Sequence, residues 1–308
     1  MTSSQPSSAA VATGASDPDL RRRGAVMVAA AAICWSSGGA IARMIESDAW
    51  TTVFWRSTFG ALALIAFIVW RERRGTIALF RSVGWPGVAV ALCFATASTS
   101  FVYALNLTTV ANILIIQSTA PFLAAVIGRF VLNERVRLQG WLTILVALAG
   151  VTIMVSDSVQ RGSIVGDLLA ALIALSFSTA VVIVRRHNEV RMTPATCLAA
   201  VFAGAFSLLF AAPLSPSAED MAWMALFGAG QLGIGMVLFT TGARLIPAAE
   251  AALLSVLETI LGPIWVWIFF AENPGERAIV GGLIVLAALI VHTAMDIHRQ
   301  YRAVPPPA

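Results

Sequence analysis

Long apolar runs recur along the chain, and they constrain its fold more than any other feature of the sequence. Each run is long enough to cross a hydrocarbon core of about 30 Å as a helix that rises ~1.5 Å per residue. A helix also satisfies its own backbone hydrogen bonds, which lipid does not do. The runs predict ten membrane spans, over 24–45, 51–70, 84–104, 110–131, 138–156, 164–184, 194–214, 221–243, 247–270 and 276–294.

The distribution of arginine tests this count, because all 20 basic residues are Arg. With the amino terminus in the cytoplasm, 16 of them fall at cytoplasmic ends of the spans and only Arg43, Arg161 and Arg277 at external ends, while Arg56 lies inside span two. This asymmetry follows the positive-inside rule. We therefore predict a multi-pass protein of the bacterial inner (plasma) membrane with both termini cytoplasmic, and no nucleic-acid partner.

The ends of the chain and a central break divide it into four parts. Residues 1–23 are rich in Ser, Ala and Pro near their start and predict a disordered N-terminal tail. Residues 24–156 and 164–295 each hold five predicted spans, and residues 296–308 predict a cytoplasmic C-terminal tail.

The two halves are related by an internal repeat. A shift of 142 residues places Ser36 on Ser178, and a shift of 138 places Gln117 on Ser255. A five-span unit has an odd number of crossings, so its second copy must be inserted upside down. The predicted fold class is therefore an all-α integral membrane protein of ten transmembrane helices built as two inverted five-helix repeats, an architecture that recurs in transporters.

Motifs of enzymes and metal sites do not occur in the sequence. A phosphate-binding GxxxxGK[ST] loop is impossible without Lys, and GxSxG, HExxH and CxxC are absent. Cys34, Cys93 and Cys197 fall in separate apolar runs and are expected to be small core residues. We expect no catalytic residues, no cofactor and no metal, and we expect the lipid bilayer and a small-molecule substrate as partners.

Two segments, Ala111 to Val151 and Ala249 to Ile290, share a small-residue helix, a Pro, an apolar run and a Glu before the last helix of the half. Span two adds Arg56 within a Val-Phe-Trp-Arg stretch. In these residues the chain resembles the EamA-type ten-helix transporters of the drug/metabolite transporter superfamily, over residues 24–295. The resemblance implies export or uptake of small metabolites without ATP and without a bound cofactor.

Glu258 is the candidate for proton coupling, because it lies near the middle of span nine. A charged residue at that depth costs about 2.5–3.5 kcal/mol on insertion scales. The alternative is a neutral or paired Glu that ties helices together. Arg56 lies one and a half turns inside span two, where it could snorkel to the external surface, pair with Glu258 or meet a carboxylate of the substrate.

Other polar and aromatic residues fall within the spans and are candidates for the wall of a substrate cavity. For the polar ones the alternative is bonding to their own helix, and for the tryptophans it is the interfacial belt. The candidate substrate-binding or cavity residues are Trp35, Ser36, Arg56, Tyr103, Asn112, Gln117, Ser178, Gln231, Ser255, Glu258 and Trp265.

Two further patterns predict packing. Glu134 and Glu272 end the fourth helix of each half and are expected to cap the next helix or pair with an Arg. Glycines in spans one, eight and ten permit close helix contact, with gating as the alternative.

The sequence favours a secondary transporter, most simply an exporter of amino acids or related compounds that works by alternating access and is driven by a gradient of protons or of another solute. The alternatives are an importer of a nucleoside or cofactor-like metabolite, or a membrane accessory protein that transports nothing. An intramembrane enzyme would need a catalytic constellation, which the sequence does not contain.

Overall fold

The computed structural model describes residues 18–133, 138–161, 164–187 and 192–303, and within these ranges every regular element is helical. Up to residue 161 the α-helices are α1 (Pro18–Ser36), α2 (Gly38–Arg43), α3 (Ala49–Glu72), α4 (Thr76–Arg81), α5 (Gly84–Leu105), α6 (Val110–Gln117), α7 (Ala120–Val131) and α8 (Leu138–Arg161). From residue 164 they are α9 (Ile164–Arg186), α10 (Met192–Ser207), α11 (Ala218–Ala225), α12 (Gly235–Gly242), α13 (Ala248–Phe270) and α14 (Glu276–Ala303), and a π-helical segment, Leu226–Ile234, joins α11 to α12.

Seven helical stretches in the described part of the chain are long and apolar enough to cross a membrane. They are Pro18–Arg43, Ala49–Glu72, Gly84–Leu105, Val110–Val131, Ile164–Arg186, Ala218–Gly242 and Leu253–Phe270. Two shorter apolar helices, Gly140–Ile153 and Thr193–Ser207, fall on the predicted spans 138–156 and 194–214. The predicted span 276–294 falls on α14.

Several predicted boundaries were wrong. Helix α1 begins at Pro18, with Asp19 in its first turn, so residues 18–23 are helical and not part of a disordered tail. Proline suits the first position of a helix and an acidic residue suits its first turn. Helix α14 continues to Ala303 through most of the predicted C-terminal tail, whereas α10 ends at Ser207, short of the predicted 214. Residues 1–17 and 304–308 lie outside the described residues.

Pairs of hydroxyl side chains break the first and the fourth predicted spans near their middles. Ser36 and Ser37 donate hydrogen bonds to main-chain carbonyls three residues earlier, where α1 gives way to α2. Ser118 and Thr119 do the same between α6 and α7. Such bonds compete with the helical ladder, and they leave local turns inside spans that the hydropathy pattern predicts as continuous.

Helices α1 and α2 run parallel to α13, because three side-chain contacts between them have the same sequence separation of 229 residues. We call the two ends of the bundle that these contacts define the Arg21 end and the Arg43 end. The three contacts are Arg21–Glu250, Ser36–Trp265 and Arg43–Glu272.

Three other helix pairs have clear relative directions. The π segment and α12 run parallel to α3, since contacts advance together along both chains. Helices α5 and α9 run antiparallel, as do α8 and α14, because one sequence number rises while the other falls. The contacts are Arg56–Gln231 and Ala63–Gly233 for the parallel pair, Phe94–Phe177 and, just after α5, Thr108–Gly166 for α5 and α9, and Gly150–Gly281 for α8 and α14, which also place Ala147 and Ala288 in one core cluster.

Gly228 allows the π segment to lie directly against the backbone of α3. A Cβ atom on Gly228 would be 2.2 Å from the main-chain oxygen of Arg56, which is closer than any real contact. A Cβ atom on Gly230, two residues on, would instead meet the tip of the Leu226 side chain at 2.9 Å, and that side chain can move. Glycine is therefore required at 228 for packing and is replaceable at 230.

We expect Gly228→Ala to destabilise the protein, because the added methyl group forces two backbones apart at a cost of about 1–3 kcal/mol. Gly230→Ala is the matched control, and its helix propensity favours Ala by about 1 kcal/mol. Thermal unfolding of the two variants in detergent, followed by size-exclusion chromatography, measures the difference. Equal melting temperatures for Gly228→Ala and the wild type would contradict the close approach.

Candidate functional site

Arg56 is buried in the interior of the bundle, and this position excludes the snorkelling arrangement. Its helix α3 begins after Asp48, whose carboxylate accepts hydrogen bonds from the amides of Trp50 and Thr51. Arg56 follows less than two turns later and is only 5% exposed. Its Nη1 donates to Ser98 Oγ at 2.6 Å, and its Nη2 donates to Gln231 Oε1 at 3.4 Å.

Aromatic rings surround the same guanidinium. Its central carbon lies 4.4 Å from the ring centre of Phe227 and 5.9 Å from that of Phe101, both within the range of cation–π attraction. Its Nε is buried without a hydrogen-bond partner. No carboxylate of the described residues forms an ion pair with Arg56, so the pairing with Glu258 that the sequence allowed is not present.

Gln231 links Arg56 to α1. It lies in the π segment, is 6% exposed, and its Nε2 donates to the main-chain oxygen of Trp35 at 3.2 Å while its Oε1 faces Arg56. The thiol of Cys34 donates to the main-chain oxygen of Gly230 at 3.4 Å in the same contact. π-helical turns are frequent at functional sites, and here the π segment places the Gln231 amide between a charged side chain and a neighbouring helix.

Trp35, Ser36 and Trp265 continue this cluster toward α13. Trp265 Nε1 donates to Ser36 Oγ at 3.0 Å, and Ser36 Oγ donates to the main-chain oxygen of Ile33 at 2.6 Å. The ring of Trp35 lies 5.2 Å from that of Phe239. We call the group Trp35, Ser36, Arg56, Gln231 and Trp265 the central polar cluster.

Glu258 lies on the face of α13 that also carries Ser255, Gly262 and Trp265, at helical spacing. This face is turned toward the protein, because a Cβ on Gly262 would lie 3.6 Å from the main-chain oxygen of Ser36. Glu258 is half-buried, and within the described residues it has no hydrogen bond or ion pair. Ser255 bonds to the Ala251 carbonyl of its own helix, which is the structural role allowed for it.

The remaining candidates are not part of the central polar cluster. Tyr103 packs on Trp50 with ring centres 4.8 Å apart, and Gln117 is half-buried at the end of α6. Ser178 is fully buried and donates to the main-chain oxygens of Ala120 and Ala174.

Asn112 belongs to a second buried group, which includes Asp167, a residue that the sequence reasoning missed. Asp167 is 3% exposed, and its Oδ1 accepts hydrogen bonds from Thr108 Oγ1 at 2.8 Å and Asn112 Nδ2 at 3.2 Å. The signal in the sequence was an acidic residue in the first turn of predicted span six. Phe227 and Phe101 were missed because apolar residues inside a membrane span carry no distinguishing pattern.

Glu272 pairs with an Arg, which is one of the two roles predicted from the sequence, but the helix that it caps is α6 and not the following helix α14. Its Oε2 forms an ion pair with Arg43 Nη2 at 2.8 Å, and its Oε1 accepts from the amide of Val110 at the start of α6. Arg43 also donates to the main-chain oxygens of Leu105 and Thr108. The corresponding residue Glu134 lies outside the described residues. No group of three or more potential metal ligands occurs among the described residues.

Apolar helices that surround a buried polar cluster define a multi-pass membrane protein, and comparison with known proteins gives its family. The EamA-like transporter family model matches residues 22–156 and again 164–294. The chain therefore belongs to the EamA-like transporter family, within the drug/metabolite transporter superfamily. It is a membrane transporter of small molecules and not an enzyme.

The relatives carry names that differ in direction and solute. The chain is 23% identical to the S-adenosylmethionine uptake transporter of Rickettsia prowazekii over 77% of this chain and 80% of that protein. It is 25% identical to the pseudopaline exporter of Pseudomonas aeruginosa over 88% and 96%, and 27% identical to an uncharacterised transporter of Bacillus subtilis over 87% and 93%. A solved crystal structure shares the fold, with a TM-score of 0.64 at 19% identity over 89% of this chain and 98% of that chain.

The hydrogen bond between Trp265 and Ser36 predicts a difference between two neighbouring tryptophans. We expect Trp265→Phe to cost about 0.5–1.5 kcal/mol, because the buried hydroxyl loses its donor. Trp267→Phe is the control, since the Trp267 side chain is 62% exposed. Thermal unfolding in detergent measures both, and a larger loss for Trp267→Phe would contradict the assigned contact.

Proposed function

We propose that the chain crosses the bacterial inner membrane ten times, as two inverted five-helix repeats with both termini in the cytoplasm. The two segments matched by the family model, 22–156 and 164–294, support the repeat. The excess of arginine at the proposed cytoplasmic ends supports the orientation.

The relative directions of the helices support the count of ten membrane crossings. Helices α5 and α9 run antiparallel, with Phe94 against Phe177. If α6–α7 crossed the membrane and α8 did not, α5 and α9 would run parallel, so α8 is expected to cross. In the proposed topology the π segment and α9 both run opposite to α5. Two segments that follow each other along the chain and run in the same direction need one crossing between them, and α10 provides it. Helix α14 runs antiparallel to α8, and this direction returns the chain to the Arg21 end.

Accessibility of the two chain ends tests this topology. In a variant with Cys34, Cys93 and Cys197 replaced by Ala, a single cysteine is placed at Ser3 or at Ala308. We expect a membrane-impermeant maleimide to label both only after the cells are opened, because both ends face the cytoplasm. Labelling of one of the two in intact spheroplasts would overturn the even number of crossings.

The transport function that the geometry supports best is that of a secondary transporter of small metabolites, and we favour export of amino acids or related compounds by alternating access. The central polar cluster supports this proposal most strongly. Arg56 comes from the first half of the chain, and Gln231 and Trp265 come from the second, so the cluster lies between the halves. A site between repeats is exposed to each side in turn when the halves rock.

Uptake is the first alternative to export, because one relative is named an uptake transporter and another an exporter. An accessory protein without transport is the second alternative. Overexpression in a bacterial host that is challenged with toxic analogues of amino acids, nucleosides and cofactors separates these outcomes. An exporter raises resistance to its solute, an importer lowers it, and an accessory protein changes neither.

We propose Glu258 as the proton-coupling residue. It is the carboxylate on the inward face of α13, half-buried and without a partner among the described residues, so a proton can neutralise it without breaking an ion pair.

We expect Glu258→Gln to transport at a rate that no longer depends on an imposed pH gradient, because the amide does not take up a proton. Glu276→Gln, at the exposed start of α14, is the control and should keep the wild-type dependence. The measurement is the flux of amino acids out of proteoliposomes, with and without a pH gradient. An unchanged response to the gradient in Glu258→Gln would remove the coupling role.

A further inference from the structure

The positive charge of Arg56 has no counter-ion among the described residues. The ion pairs found there join Arg21 to Glu250 and Arg43 to Glu272. The hydrogen-bond partners of Arg56, Ser98 and Gln231, are both neutral. Arg56 is nevertheless 5% exposed, so water does not stabilise its charge either.

Burial of a charge without an opposite charge is unfavourable in a membrane interior. The ring of Phe227 at 4.4 Å and two neutral acceptors offset only part of this cost. The Nε group contributes nothing, because no acceptor reaches it. The site as it stands therefore favours an anion brought from outside the chain.

The contact with Gln231 is the one that such an anion can replace. Its length of 3.4 Å lies beyond the usual range for an N–H···O bond, whereas the bond to Ser98 is 2.6 Å. A planar guanidinium binds a carboxylate through two parallel hydrogen bonds, which are stronger than bonds to a neutral amide. A carboxylate would therefore displace the side-chain oxygen of Gln231.

We propose that the transported solute carries a carboxylate group and that Arg56 binds it, with Ser98 and Gln231 as positioning residues. Gln231 occupies the position that the carboxylate would take, since its amide bridges Arg56 and the main-chain oxygen of Trp35. When the solute displaces the Gln231 amide, the hydrogen bond that this amide makes between the π segment and α1 is also broken. The inference rests on the proposed transport function and specifies the chemistry of its solute.

Proteoliposomes that contain the full-length protein test this inference. They are loaded with an equimolar mixture of amino acids and S-adenosylmethionine, together with the carboxamide and the decarboxylated amine of each compound. Mass spectrometry measures the loss of each compound against protein-free liposomes, which report the leak. We expect the wild type to release acids at least about tenfold faster than their carboxamides, as a charge-assisted bond is worth that much.

Three variants separate recognition from folding. Arg56→Gln should lower acid flux about 10- to 100-fold and abolish the preference for acids over carboxamides. Arg71→Gln, which changes an exposed arginine of the same helix, should change neither. Gln231→Glu places a permanent carboxylate beside Arg56 and removes the donor to the main-chain oxygen of Trp35, so we expect a protein that still elutes as a folded species in size-exclusion chromatography but shows a similar loss of acid flux.

The outcomes are distinct. Faster release of carboxamides or amines than of acids by the wild type would overturn the carboxylate site and leave the transport function standing. Equal loss of acid and carboxamide flux in Arg56→Gln, or full acid flux in Gln231→Glu, would also overturn it. If the wild type releases no compound above the leak, the proposed function fails and the inference falls with it.

Discussion

The contact between the Arg56 guanidinium and the π segment is the interaction on which the rest of the site depends. Lipid cannot solvate a charge, so Arg56 must be enclosed by protein. The enclosure is made by Ser98 from α5 and by Gln231 and Phe227 from the π segment. The π segment comes close enough only because Gly228 lies against the main chain of α3 at Arg56 itself. The charge and the glycine are thus two requirements of one packing arrangement.

The two ends of the bundle are held differently. At the Arg21 end, the ion pair with Glu250 involves a half-exposed arginine, and such pairs contribute little to stability. At the Arg43 end, the ion pair with Glu272 is less exposed, Arg43 also donates to main-chain oxygens at the end of α5 and in the loop that follows it, and Glu272 accepts from the first amide of α6. The contacts at the Arg43 end therefore connect α2, α5, α6 and the end of α13, whereas the ion pair at the Arg21 end connects only α1 and α13.

The sequence predicted the helical class, most helix positions and the family, because apolar runs and arginine placement are direct consequences of the bilayer. It predicted Arg56, Gln231, Ser36 and Trp265 as separate candidates, since polar groups in a span must face protein or water. It did not reveal that they touch, because contacts between α1, α3, the π segment and α13 depend on packing across more than 170 positions of sequence. The π turn itself had no signal, since its apolar and glycine residues also suit an α-helix.

The central polar cluster and Glu258 are distinct charge sites. Trp265 lies level with Ser36 through their hydrogen bond, and Glu258 precedes Trp265 by seven residues on α13. At 1.5 Å per residue the separation along the helix is about 10 Å, toward the Arg21 end. Arg56, which Gln231 holds level with Trp35, therefore does not neutralise Glu258.

A solute at Arg56 and a proton on Glu258 can be bound independently, and any coupling between them must pass through contacts of the protein. A path of three such contacts is present. Arg56 contacts Gln231, and Gln231 contacts the main chain of Trp35. The adjacent Ser36 then contacts Trp265, on the helix that carries Glu258. In the proposed mechanism, displacement of the Gln231 amide changes the first of these contacts. The same chain of contacts joins the two halves of the molecule, so the binding of a solute and the relative position of the halves act on one set of hydrogen bonds.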